Sequence, residues 1–450
     1  MQESPAVERP STRAVVALGL SAALSPLGST MVAVAIPSIA RSFHTTAQAV
    51  TPWLVTSYLM VGIVCQSPGG KLGDLLGHQR VLAIGQSVFA MSAFVGFFAQ
   101  DLVWLALARV LMAASGAVMI PAATALLRNA VPPEQRTRAF GAFGSMMALS
   151  ATIGPPLGDQ ITRHFGWPAI FVANAPILLL SVLLARGVAK KDPSRTERPR
   201  FDILGSVLLG IALTLAILAV SDALHRKIFL LVAATAFVAF VVWERRIPNP
   251  VIDFSLFRSR PFTAGTLIVA FQNLAMYATI FQIPMFFEEC RGVAHGVMGV
   301  RLAALMIPIL VFSFLGGRVA ERIGPRATAI AGASIALAGM IWMHASELVT
   351  PNDVIPFLLV MGVGLGICGA PTQTSVMSAA PKEQSGMAAG LMSTMRYLGG
   401  VVGSAVLATV LGGATLEEKI THHYQAMIVF ATSLGLAVVC SLLLPAKAPR

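Results

Sequence analysis

Charge is scarce in this chain, and three arginines sit where it is most expensive. Arg109, Arg301 and Arg396 lie inside long apolar runs. A guanidinium at mid-helix in a membrane costs about 2.5–3.5 kcal/mol even on insertion scales, so it must face protein or water and find a partner. Polar groups recur at helical spacing in three other runs: Ser57 and Tyr58; Gln272, Asn273, Tyr277 and Gln282; Thr372, Gln373 and Thr374. Such groups would be costly against lipid. They are candidates to line a substrate cavity, with Met112, Met146, Met147 and Met276 as an adaptable apolar wall. Interhelical hydrogen bonds and ordinary packing explain these polar and methionine residues equally well.

No G-x-x-x-x-G-K-[ST] phosphate loop, H-E-x-x-H zinc motif or nucleophile–base pairing occurs, so neither an enzyme nor a cofactor is expected. His422 and His423 stand beside Glu417 and Glu418, which reads as a solvated outer loop rather than a metal site. Cys65, Cys290, Cys368 and Cys440 are isolated, with neither disulfide nor metal spacing.

The elements that position these residues are membrane helices. The chain has 450 residues, 56% hydrophobic and 12% charged, about half the charge of a soluble protein. Its mean hydropathy is +0.77. Fourteen apolar runs are long enough to be read as spans: 14–36, 51–68, 81–99, 102–127, 139–158, 167–185, 203–220, 227–243, 262–287, 297–315, 327–343, 355–376, 388–411 and 426–444. They lack period-2 alternation, which excludes barrel strands. The first run is too long for a cleaved signal peptide and has no A-x-A site, so it reads as a permanent helix.

The net charge of +12 does not point to nucleic acid, because its placement is one-sided. With the N-terminus inside, 23 Lys and Arg fall on the cytoplasmic side and six on the other. The positive-inside rule then puts both termini in the cytoplasm.

The stretch Gly70-Lys71-Leu72-Gly73-Asp74-Leu75-Leu76-Gly77-His78-Gln79-Arg80 has an echo in Gly317-Arg318-Val319-Ala320-Glu321-Arg322-Ile323-Gly324-Pro325-Arg326. Both read as cytoplasmic loops after the second helix of a six-helix set. In each, the acid can cap or pair at helix ends and the glycines permit a tight turn. The expected layout is all-α and polytopic: a tail at 1–13, a six-helix bundle at 14–189, an insert at 190–261, a second bundle at 262–445 and a tail at 446–450. The insert comprises a charged linker, two extra helices and an inner-face segment.

At these residues the chain resembles the major facilitator superfamily, in particular the fourteen-span drug:proton antiporters of the EmrB/QacA type. The 70–80 stretch marks the superfamily, and there the resemblance implies a conformational latch formed by Gly70, Asp74, Gly77 and Arg80. Gly154-Pro155-Pro156-Leu157-Gly158 resembles the antiporter motif, whose helix is expected to kink, pack closely and block leak. Trp167-Pro168-Ala169-Ile170-Phe171-Val172-Ala173-Asn174-Ala175-Pro176 resembles the family's W-R-x-I-F-x-x-N-x-P. Val251-Ile252-Asp253-Phe254-Ser255-Leu256-Phe257 resembles its stretch before the second half, and 386–403, with Arg396, its thirteenth helix. The family's first-span acid, in L-D-x-T-I-V-N-V-A-L-P, is replaced by Gly28 in Leu27-Gly28-Ser29-Thr30-Met31-Val32-Ala33-Val34-Ala35-Ile36-Pro37. Of R-x-x-Q-G in the fourth span only Arg109 survives, and the antiporter motif ends Gly158-Asp159.

The acid is therefore missing at the depth where Arg109 wants one. Asp159 is the expected substitute and, with Arg109, the candidate for proton coupling; a plain outer-surface carboxylate is the other reading. The function expected is export of an amphipathic small molecule across the plasma membrane, coupled to proton influx, by a monomer in the bilayer. With few acids near the membrane centre, neutral, weakly basic or anionic substrates are expected over dications. An importer or uncoupled facilitator is the alternative.

Overall fold

The computed structural model describes residues 12–46, 50, 52–185, 201–221, 225–293, 297–410 and 415–446. Every regular element in them is helical. The charged linker at 190–200 and most of the N-terminal tail lie outside the described residues.

Each of the fourteen apolar runs falls on a helix. The first six are α1 (Thr12–Ser42), α2 (Ser57–Leu76, entered through a π-turn at Pro52–Thr56), α3 (His78–Phe97), α4 (Leu102–Ala130), α5 (Arg136–Phe165) and α6 (Ala169–Ala185). The insert contributes α7 (Ile203–Ser221) and α8 (Arg226–Glu244). The last six are α9 (Arg260–Arg291), α10 (Val297–Ile323), α11 (Pro325–Ala345), α12 (Ile355–Ala379), α13 (Ser385–Val410) and α14 (Leu416–Ser441). Helix α6 breaks at Ala173 and Asn174, just before Pro176, which has no N–H to continue the ladder.

Nine helices among the described residues are long and apolar enough to cross a membrane, and α6 and α7 are shorter apolar helices. This is a multi-pass membrane protein. Helices α2, α5 and α13 fall outside that class, and all three lie where α1–α6 meet α9–α14. Helices flanked by protein need less apolar surface than helices facing lipid.

Within the first set α1 packs on α5 and α3 on α4; within the second, α12 packs on α10 and α11, and α9 on α13 and α14. The sets are joined chiefly by α2 on α13 and α5 on α10, and also by α4 on α13 and α5 on α12. The inserted hairpin leans through α7 on α2 and α13; a Cβ on Gly210 would lie 3.0 Å from Val64.

Both repeated stretches depart from the expected loops. Gly70 to Leu76 form the last turns of α2, and the only residue outside a helix there is Gly77, at φ 92°. Its counterpart Gly324, at φ 90°, alone separates α10 from α11. Only glycine adopts such angles without strain, so the duplicated hairpin turns on one residue in each half. His422 and His423 also sit on a helix: a capping box between Thr415 and Glu418 starts α14 earlier than the sequence suggests, and His423 is buried.

Candidate functional site

Helix α13 begins with N–H groups that have no partner in their own helix. Asp74, projecting from the end of α2, supplies it: Oδ1 accepts the Gly386 N–H at 2.8 Å and Oδ2 the Met387 N–H at 2.7 Å. A carboxylate at a helix N-terminus also gains from the macrodipole, and each charge-assisted bond stabilises by about 1.5–3 kcal/mol. His78 Nε2 stands 3.4 Å from Asp74 Oδ1 and 3.3 Å from Ser385 Oγ. Glycine makes this approach feasible, since a Cβ on Gly70 would strike the Gly386 carbonyl and one on Gly386 the Gly70 carbonyl. Arg80 is exposed beside this contact.

The second repeat packs in the same manner. A Cβ on Gly317 would lie 2.7 Å from the Thr137 carbonyl, and one on Gly141 2.6 Å from that of Ser313. Glu321, the counterpart of Asp74, faces Arg138. Ser145 Oγ donates to the Leu310 carbonyl at 2.7 Å, Ser67 and Thr394 share a 2.9 Å bond, and Arg128 donates to the carbonyls of Ala380 (2.6 Å) and Pro381 (3.1 Å). These bonds joining α1–α6 to α9–α14 lie in the half of the bundle at the 70–80 end. The molecule is closed at this basic end.

A strap, residues 245–259, runs beneath the closure from α8 to α9. Buried Glu244 holds its start by accepting the N–H groups of Val251 (3.2 Å) and Ile252 (3.4 Å). Asp253 then reaches the latch: it accepts Gln384 Nε2 at 3.0 Å, and its N–H meets Met387 Sδ at 3.1 Å. Burial pushes the Asp253 carboxyl up, but hydrogen bonds from Ser255 and Gln384 and the charge of Lys71 outweigh it and hold its pKa below the ordinary carboxylate value. A cavity of about 170 Å³ remains between strap and latch, lined by Lys71, Asp74, Asn249, Asp253 and Gln384 among others.

In the middle of the first set, Arg109 is 1% exposed and has no carboxylate partner among the described residues. Its Nε donates to the Leu54 carbonyl at 3.1 Å and Nη1 to the Gly28 carbonyl at 3.3 Å. The guanidinium lies 4.1 Å from the centroid of the Tyr58 ring, a cation–π contact. Tyr58 donates onward to the Ser25 carbonyl at 3.0 Å. Met112, also buried, would be 3.6 Å from a Cβ on Gly28.

Asp159 is not brought to Arg109. Its side chain is 44% exposed and pairs with Arg163 Nε at 3.0 Å, one turn along α5. In this structure Asp159 pairs with an exposed arginine of its own helix rather than with Arg109. Gly154 and Gly158 do bring α5 onto α1: a Cβ on Gly154 would strike Thr30 Oγ1, and one on Gly158 would lie 2.8 Å from Met31 Cα. Pro155 and Pro156 sit within a helix that stays continuous to Phe165.

The polar candidates separate. Gln272 is buried beside Cys368. Asn273 is half-buried and bonds the Val269 carbonyl at 2.8 Å, and Thr372 bonds that of Cys368 at 2.7 Å. Gln373 is buried, and Tyr277 is half-buried against Gly400. Ser57 spends its hydroxyl on the Trp53 carbonyl of its own turn. Gln282 turns away from the other half: it is fully buried and donates to the His423 carbonyl on α14 at 2.6 Å. The sequence assigns no partner to Arg128 and no role to Asp253. An arginine at a helix end and an acid between two prolines and a short apolar run were the signals available.

Two six-helix sets, interlocked at their basic ends, are the frame of a membrane transporter. The sequence model of the Major Facilitator Superfamily matches residues 18–404, and the chain belongs to that superfamily. It is 30% identical to the uncharacterized MFS-type transporter YvkA of Bacillus subtilis, with 93% of each chain covered. It is 29% identical to the tetracenomycin C resistance and export protein of Streptomyces glaucescens, covering 88% of this chain and 75% of that one. The human organic anion transporter MFSD10 shares the fold with a TM-score of 0.69 at 16% identity, covering 97% of this chain and 100% of that one.

Proposed function

We propose that the protein exports amphipathic small molecules across the plasma membrane by alternating access, coupled to proton influx. The observation that carries this reading is the Asp74 cap on α13, a charge-assisted contact made across the seam between the two sets. Such a contact suits a lock that opens and closes around a central site. Export is favoured by the 29% identity to an antibiotic resistance and export protein. In this reading all fourteen helices span, as in the fourteen-span drug:proton antiporters, the basic end and both termini face the cytoplasm, and the monomer is the working unit.

Substrates meet Gln272, Asn273, Tyr277, Thr372 and Gln373 from one side and Tyr58 and Met112 from the other. Arg109 and Asp159 are the coupling candidates, with Asp159 near the end exposed to the outer proton source. One elementary charge crossing 100 mV releases about 2.3 kcal/mol, close to the roughly 2.7 kcal/mol of a hundredfold gradient. A second reading, an uncoupled facilitator or importer, is favoured by one observation: Arg109 meets two backbone carbonyls and the Tyr58 ring, and no carboxylate among the described residues pairs with it.

Inside-out vesicles with an acid lumen separate the two. Amphipathic drug uptake that triggers lumenal proton release supports antiport. Drug movement that ignores the proton gradient rejects it in favour of facilitation.

A further inference from the structure

We propose that Arg396, with Tyr277 and Tyr397, forms an anion-binding subsite between the two halves, selecting aromatic amphipaths that carry a single negative charge. The inference rests on the transport reading above and adds the charge of its substrates.

The register of α13 directs Arg396 inward. Glycines on this helix press onto α9: a Cβ on Gly399 would strike the Ala270 carbonyl, one on Gly403 would lie 2.5 Å from that of Leu274, and one on Gly400 2.8 Å from the Tyr277 ring. Arg396 precedes Gly399 and Gly400 by three and four residues and so shares their stripe, facing α9 rather than lipid. Tyr277 and Tyr397 both lie within electrostatic reach of Arg396, and Tyr397 also reaches Tyr58 on α2. Three of the chain's four tyrosines, from three helices in both halves, thus gather about the two mid-bundle arginines.

Depth places the group at a floor. Thr394, bonded to Ser67, belongs to the basic-end closure, and Arg396 is the next residue but one, about 16 Å from the start of α13. Arg396, Tyr277 and Tyr397 are each half-buried, so space between the helices reaches them.

Charge then selects the ligand. Among the described residues no ion pair involves Arg109 or Arg396. The nearest polar partners of Arg109 are carbonyls already committed to it. A charge in this position favours a counter-ion, and a site with two guanidiniums and no carboxylate attracts an anion and repels a cation. The planar fork of Arg396 suits a carboxylate or sulfonate. Phenol hydroxyls can add donors, and tyrosine rings give an apolar face to an aromatic body. One free guanidinium matches one negative charge, since Arg109 is already held by its own set.

The test uses two probes with the same aromatic body, anionic anilinonaphthalene sulfonate and neutral phenylnaphthylamine. Fluorescence titration of the full chain in nanodiscs, against empty nanodiscs, gives the affinity ratio of the pair. Wild type should favour the sulfonate. Arg396→Gln should collapse that preference on the order of 10- to 100-fold, the scale of a charge-assisted contact, and Arg396→Lys should restore part of it. Size-exclusion profiles of the variants identify folded protein, and Tyr277→Phe, expected to weaken sulfonate binding by roughly 3- to 10-fold, probes the subsite by a milder change. Equal affinity of wild type for both probes, or an unchanged ratio in folded Arg396→Gln, overturns the subsite. The same probes in vesicles keep the two readings apart. Binding that depends on Arg396 without movement of either probe defeats export but not the subsite. Uptake of the neutral probe with binding indifferent to Arg396 defeats the subsite alone.

Discussion

At the basic end a carboxylate, Asp74, is satisfied by two backbone N–H groups; in the middle of the first set a guanidinium, Arg109, is satisfied by two backbone carbonyls. The chemistry is the same with the sign reversed, but the partners differ in address. Those of Asp74 belong to α13 in the other half, whereas those of Arg109 belong to α1 and the entry to α2 in its own half. If the halves rock as rigid bodies, both Asp74 bonds to α13 break and re-form, and the Arg109 bonds persist. The first is a switch and the second a tie. Substitutions should therefore separate them, one changing turnover and the other stability.

The largest effect is expected at the tie. Arg109→Ala strips two buried carbonyls of their donor, each worth about 1–3 kcal/mol, and should lower the thermal unfolding temperature in detergent and the folded yield. Asp74→Asn comes next. It removes the charge from the cap, weakening the closed state by about 1.5–3 kcal/mol, and should slow drug uptake into vesicles by tenfold or more while the unfolding temperature barely moves. A large stability loss in Asp74→Asn, or none in Arg109→Ala, would erase the distinction.

Asp253→Asn sharpens the comparison, because the strap touches the switch but not the tie. Asn keeps an acceptor for Ser255 and Gln384 and loses only the attraction to Lys71, so the expected cost to the closed state is about 0.5–1 kcal/mol. The folded pKa of Asp253 lies below its ordinary value. Its contribution is complete above that value and disappears only as pH falls through the lower one. The difference between wild type and Asp253→Asn should stay constant from about pH 5 to about pH 8, as measured by transport rates over that range.

Asp159→Asn should be the mildest structurally, under about 1 kcal/mol for an exposed pair. In vesicles it should stop drug-triggered proton release. Unchanged release would remove Asp159 from coupling.

The elements themselves were legible because apolar run length and helix length answer to the same bilayer. The duplicated turn was legible too, since a glycine forced to positive φ leaves its mark at both Gly77 and Gly324. What remained hidden was partnership over distance. Nothing near Asp74 in the sequence announces Gly386, 312 residues away, because the partner is a backbone N–H that any residue could present. The same reason hides the carbonyls that hold Arg109, which the sequence reading sought to pair with Asp159. Gln282 shows a further limit: helical spacing groups it with Gln272 and Asn273, but not which neighbouring helix each one meets. It turned to α14 and His423.

The central claim is that the Asp74 cap holds the two halves together at the basic end. Spin labels at exposed Arg80, on α3, and exposed Lys382, just before α13, report that gap directly. Double electron–electron resonance should find one short distance in the resting protein and a second, longer population in Asp74→Asn. Identical distance distributions in the two proteins would contradict the account.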